Sequence, residues 1–197
     1  MALTTVKISA LSGTLPVTQG GTGLTSGTTD QILKFTGSTT LASAAEAAGG
    51  KIGQVQYVEF DSNTEVTSVN SQTASYLTDQ ITPTATNSKI EVTMHFTYQI
   101  SSQDPDGRYQ ANWRIFRQIN GGGYSGVYPE NNDTNLLYGY DEQDNTTFQN
   151  NMTLQFIDSP STTNAVDYKL YITLQEGNSF AVGQNQKSQV ILKEILA

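Results

Sequence analysis

Any chemistry in this chain has to come from oxygen and nitrogen groups. It contains no cysteine and a single histidine, His95, which excludes a thiolate nucleophile, a thiolate zinc site and a disulfide framework. His95 falls on the polar side of an alternating stretch, with no serine constellation around it for a triad and no second imidazole for a metal. Its expected role is structural or interfacial. Carboxylates cluster at Asp104/Asp106 and at Asp141, Glu142 and Asp144. Neither run has the Asp-x-Asp-x-Asp-Gly spacing of a calcium loop. The first reads as a turn and the second as a solvated loop. Gly20-Gly21-Thr22-Gly23 and Gly121-Gly122-Gly123 lack the Walker lysine and the strand–loop–helix setting of a phosphate loop, so turn geometry accounts for both. No cofactor and no metal are expected. That leaves the tyrosines. Tyr124, Tyr128, Tyr138 and Tyr140, with Asp141 beside them, are spaced through Asn, Asp and Gly. Such rings stack on the apolar faces of sugars or proteins while amides and carboxylates take hydroxyls, which makes these five residues the candidate receptor-binding set. The competing reading packs the same tyrosines under their own loop or against a neighbouring subunit. Trp113, with Arg114 and Arg117 nearby, reads as core and subunit contact.

Those tyrosines need a scaffold, and side-chain alternation supplies one. In Phe148–Leu174, Phe148, Asn150, Met152, Leu154 and Phe156 face one way, and after a Ser-, Thr- and Pro-rich loop Tyr168, Leu170, Ile172 and Leu174 do the same. Period-two alternation marks two half-buried strands, here expected to form a hairpin. Lys89–Ile100 alternates most cleanly, with Ile90, Val92, Met94, Phe96, Tyr98 and Ile100 set against Glu91, Thr93, His95, Thr97 and Gln99. Further strands are expected at 52–60, 64–69, 74–82, 111–119, 124–128, 179–182 and 188–196, the last apolar enough to be buried. Asp104-Pro105-Asp106-Gly107 has the residues of a tight turn, and 120–123 those of a hairpin loop. The fold class expected for 51–197 is an all-β, jelly-roll-like antiparallel sandwich. Residues 1–50 differ. They hold one aromatic, Phe35, with a short strand at 31–35 and an Ala-rich stretch, Leu41–Ala48, of high helix propensity stopped by Gly49-Gly50.

Bulk composition narrows the partners. A net charge of −8 argues against nucleic acid or an anionic membrane as the main partner. No apolar run approaches the roughly 20 residues a membrane helix needs, and the first residues lack the basic start and apolar core of a secretion signal. Synthesis and assembly in a cytoplasm are expected, and the sequons at Asn132, Asn145 and Asn151 read as chance.

Two segments carry a resemblance. Leu15-Pro16-Val17-Thr18-Gln19-Gly20-Gly21-Thr22-Gly23, followed by SGTTDQILKFTGSTTLA, looks like an element found in many bacteriophage tail-fibre proteins. FIDSPSTTNAVDYKLYITL and ITPTATNSKIEVTMHFTY are similar to segments of virion-structure proteins of marine bacteriophages. The resemblance implies a homotrimeric virion fibre. Its extended amino-terminal segment (1–50) would attach to other virion proteins through Leu15, Pro16, Val17, Gly20, Gly21, Thr22 and Gly23. Its head (51–197) would be exposed on the particle and adhere to a host surface glycan or protein. Phage fibres that cut polysaccharide usually use much longer β-helical domains, so no enzymatic activity is expected. The alternative is a virion component without a receptor, such as a capsid decoration protein or a short head or tail appendage. A small secreted carbohydrate-binding module or hydrolase is a third reading, against which the missing signal peptide counts.

Overall fold

The computed structural model describes residues 31–37, 40–45, 49–103, 108–129, 137–140, 146–184 and 186–197. The chain divides into Met1–Ala48 and Gly49–Ala197, and among the described residues every regular element is a strand.

In the first unit, β1 (Ile32–Phe35) pairs antiparallel with β2 (Leu41–Ala44), from Ile32 opposite Ala44 to Phe35 opposite Leu41. The strand expected at 31–35 is therefore present. The Ala-rich helix is corrected: its first turn is strand. A helix that short gains too few internal bonds to offset nucleation. The edge of β1, reached through a turn closed by Thr36 N–H donating to Thr40 O at 3.0 Å, satisfies the same backbone groups. Leu15, Pro16, Val17, Gly20, Gly21, Thr22, Gly23 and residues 46–48 lie outside the described residues.

The second unit runs through β3 (Ile52–Phe60), β4 (Thr64–Val66), β5 (Gln72–Ile81), β6 (Lys89–Ser102), β7 (Arg108–Ile119) and β8 (Ser125–Tyr128). It continues with β9 (Leu137–Tyr140), β10 (Thr146–Asp158), β11 (Val166–Glu176), β12 (Ser179–Val182) and β13 (Ser188–Ile195). These make two antiparallel sheets. In the first, β10 lies along one edge of β6, from Asp158 opposite Ile90 to Thr146 opposite Ser102. The other edge of β6 is shared by β13 and β12, which are flanked in turn by β3 and β4. In the second, β11 lies between β5 and β7, and the far edge of β7 is shared by β8 and β9. If β3/β4, β8/β9 and β12/β13 each count as one interrupted strand, the sheet orders in chain sequence are 1-8-3-6 and 2-7-4-5. That is the winding of a jelly roll.

The hairpin expected over 148–174 is a correction too. Both strands exist, as β10 and β11, but they belong to different sheets, and the Asp158–Asn164 loop crosses the sandwich between them. β10 pairs instead with β6, the long central strand of its own sheet.

The inner faces close the core. Ile90, Val92, Met94, Phe96 and Ile100 of β6 meet Val166, Tyr168, Leu170, Ile172 and Leu174 of β11, all fully buried, with Trp113 among them. Burying one such Ile or Leu stabilises the fold by about 1.5–3 kcal/mol. Polar groups close one end of the sandwich. Level with Ile90, Asp158 and Glu194 enter from the first sheet. Arg117 Nη1 donates to both Asp158 oxygens, at 2.9 and 2.7 Å, and the fully buried Tyr168 hydroxyl donates to Asp158 Oδ2 at 2.7 Å. Burial and the neighbouring carboxylate push the Tyr168 phenol up. Glu194, also fully buried, accepts from Thr84 N–H at 2.6 Å, Thr84 Oγ1 at 2.8 Å and Gln54 Nε2 at 2.8 Å. Burial alone would raise its carboxyl, but these hydrogen bonds outweigh it and hold the group below the usual glutamate range.

Candidate binding face

The outward side of the second sheet is where the candidate tyrosines can be judged. Antiparallel partners share a face, so Gly126, opposite Phe116, points outward, and Tyr124 precedes it by one strand period. Lys169 of β11 also pairs with Phe116, and Tyr171 pairs with Arg114. Phe116 and Tyr171 meet with ring centres 4.5 Å apart, and Tyr124 meets Tyr171 edge-on at 5.9 Å. Cations cap the cluster at both ends. The Arg114 guanidinium lies 5.6 Å from the Phe116 ring centre, and Lys169 Nζ lies 5.4 Å from that of Tyr124. Cation–π contacts of this kind contribute about 0.5–1 kcal/mol each at exposed sites.

Backbone spacing lets the cluster form. Gly126 has no side chain, and a Cβ there would run into the Arg114 guanidinium, which lies across the strand and donates from Nη2 to Gly126 O at 3.3 Å. On the far side Asp167 holds Tyr124 in place, accepting from its hydroxyl at 3.0 Å and from Thr78 Oγ1 at 2.6 Å. Burial, with the Asp167 carboxylate second, pushes the Tyr124 phenol up to about 12, so it stays protonated and keeps donating at any physiological pH.

Tyr138 and Tyr140 extend this face along β9. They pair with Gln110 and Arg108, on the same side of β7 as Arg114 and Phe116, and are 62% and 55% exposed. Tyr128 does not join them. It pairs with the core residue Ile115, turns inward, and stacks on Phe156 at 4.7 Å with the rings 5° from parallel. Asp141 lies outside the described residues, as do Asp104, Asp106, Glu142 and Asp144. The face therefore combines three of the expected residues, Tyr124, Tyr138 and Tyr140, with Arg114, which the sequence suggested for a core or subunit contact, and with Phe116, Tyr171 and Lys169, which sequence reasoning passed over. The signal was available: Tyr171 sits between Lys169 and Thr173 on the polar side of its strand, an aromatic where alternation calls for a polar residue. Arg117, expected near a subunit contact, instead serves the ion pair at the end of the sandwich. His95 sits on the outer face of the first sheet with Nδ1 2.8 Å from Thr153 Oγ1.

Chemically, the second-sheet face offers flat apolar rings, the side-chain cations of Arg114 and Lys169 beside them, and a Tyr124 phenol oxygen that can still accept while its proton is donated to Asp167. That set suits a saccharide or a polar protein surface, by stacking with hydrogen bonds around it.

No family model matches the chain, and no curated protein does. Among solved structures it is similar to that of the infectious bursal disease virus Gx strain, at 12% identity and a TM-score of 0.37, over 85% of this chain and 42% of the other. It is also similar to the VP2 subviral particle of infectious bursal disease virus, at 10% identity and a TM-score of 0.35, over 83% of this chain and 41% of that one. The Gt strain structure gives 11% identity and a TM-score of 0.34, over 85% and 42%. The chain thus spans less than half the length of the solved chains it resembles.

Proposed function

We propose that the chain is a virion structural protein whose jelly-roll unit adheres to the host cell surface through the outer face of its second sheet. The observation that carries this reading is the gathering of Tyr124, Phe116, Tyr171, Tyr138 and Tyr140 on one outward sheet face, with Arg114 and Lys169 over the rings. Core demand does not explain rings on that side of the sheet. The resemblance of the 15–23 and 156–174 segments to phage virion proteins supports the particle as its location. It also supports a trimer held through the amino-terminal segment, with Leu15, Pro16, Val17, Gly20, Gly21, Thr22 and Gly23 at the attachment. Contacts on such a face are individually weak, so several copies on one particle would set the outcome through avidity. A jelly roll is compatible with many functions, and the face rather than the fold distinguishes this one.

The test is competition. Purified full-length protein, applied to host bacteria before virions, is expected to lower adsorption, and a Tyr138→Ala/Tyr140→Ala variant to lose most of that effect while keeping its melting temperature. Failure of the unaltered protein to compete would overturn the adhesion reading and favour a virion component without a receptor.

A further inference from the structure

Among the described residues β3 pairs with β13 on one side only, and its other ladder edge is unpaired. Exposed edges are normally blunted by short length, charge, proline or a polar outer face. The other edges here follow that rule. β4, β8 and β9 are only 3, 4 and 4 residues long. β10 presents Gln149, Asn151, Thr153 and Gln155 outward, with one exposed apolar residue, Ile157, near its end, and β5 presents Thr78 and Gln80. β3 is the exception. It runs 9 residues without proline or lysine, and Ile52, Val55 and Tyr57, 50%, 53% and 56% exposed, point outward beside Ile195, Lys193 and Ile191 of β13.

The sequence of this edge complements itself. Two β3 strands laid antiparallel about a two-fold axis at Gln56 set Val55 of each opposite Tyr57 of the other, an aromatic–β-branched pair on the same face. The same arrangement sets Lys51 of one strand opposite Asp61 of the other, while Glu59 keeps its own ion pair with Lys187. Parallel pairing would instead put like charges together. We propose that β3 is a self-association edge, through which two copies of this chain join their first sheets into one continuous sheet about a two-fold axis at Gln56. The contact is isologous, so it closes at two copies and does not propagate into a fibre. It lies on the opposite sheet from the adhesion face and stands whether or not that reading holds.

The chain has no native cysteine, so one substitution gives an unambiguous probe. At the axis, residue 56 of each copy faces its own counterpart with Cα atoms about 4.5–5.5 Å apart, as in any antiparallel pair, a separation a disulfide spans. Full-length Gln56→Cys is therefore expected to form a two-chain species under mild oxidation at least ten times faster than Gln72→Cys, an exposed position on β5. In light scattering the unaltered chain should show an even number of copies, two alone or six if the amino-terminal segment also assembles in threes. Tyr57→Lys should halve that number with the melting temperature unchanged. Equal cross-linking rates for the two cysteine variants would overturn the proposal. So would an odd or single copy number in the unaltered chain, including a monomer whose β3 amides are protected from hydrogen exchange by its own amino-terminal segment.

Discussion

Removing the Asp158 carboxylate tests whether the polar end of the sandwich ties the two sheets together. Asp158→Ala takes away the acceptor for both Arg117 hydrogen bonds and for the Tyr168 hydroxyl. The tyrosine is fully buried, so its orphaned hydroxyl costs about 1–3 kcal/mol. Breaking a wholly buried ion pair costs about 3–5 kcal/mol. Here the Arg117 and Asp158 side chains retain 22% and 12% exposure, so water can recover part of the guanidinium's loss. A total of about 2–4 kcal/mol results, a large share of the roughly 5–15 kcal/mol that holds a typical domain. At about 2–4 °C per kcal/mol for a chain of this size, the melting temperature should fall by about 5–15 °C. Asp158→Asn keeps an acceptor for Tyr168 and one for Arg117, and should cost less than half as much. Tyr168→Phe leaves the ion pair intact and should cost only about 0.5–1.5 kcal/mol. Urea unfolding followed by circular dichroism gives all three, with an unchanged m-value confirming that stability alone has moved. An Asp158→Ala variant within about 0.5 kcal/mol of the unaltered protein would refute the reasoning, because the three bonds would then be supplying no net connection between the sheets.

Acid should weaken the fold through Glu194. Its folded-state carboxyl lies below the unfolded value of about 4.3, so the unfolded chain binds more protons as pH falls. The contribution is complete above that value and is lost as pH drops through the folded one; Glu194→Gln should flatten the decline in urea midpoint between pH 5 and pH 3. Two glycines should behave oppositely. Gly183→Ala imposes a side chain at φ +83° against Ser62 O and the Tyr76 hydroxyl, and should cost more than about 2 kcal/mol in a thermal melt. Gly126→Ala meets only the mobile end of Arg114, so stability should change by less than about 1 kcal/mol while the guanidinium leaves the Phe116 ring, a displacement visible in the aromatic proton shifts. On the binding face, Tyr171→Ala removes the ring that both Phe116 and Tyr124 touch and should reduce adsorption competition several-fold, more than Thr173→Ala on the same strand face.

Alternation along a strand reveals which side chains share a face, and that much was legible. The inward set of β6 and the inward sets of β10 and β11 follow directly from the order of apolar residues. Alternation does not say which sheet a strand joins. β10 and β11 each carry a dry face and a wet face, and a loop of turn formers between them suits a hairpin and a crossing of the sandwich equally well. Only the competition for the long edge of β6 decides it. The tyrosines show the same limit at shorter range. Strict period two would place Tyr124, Gly126 and Tyr128 on one side. The pairing of β8 with β7 slips between Ile115 and Phe116, so Gly126 faces out beside Phe116 while Tyr128 faces in beside Ile115. A bulge of that kind leaves no mark in composition, because the extra residue, Val127, is a good strand former. The Ala-rich stretch failed for another reason: propensity describes an isolated segment, and a neighbouring strand edge outweighs it. The informative residues for function are therefore the ones that break the local rule without a packing reason. Tyr171 and Phe116 do so on the second sheet, and Val55 and Tyr57 do so on the first. Each pair puts apolar surface where the fold does not need it, and the two lie on opposite sheets. One sheet can thus meet a second copy while the other meets a host.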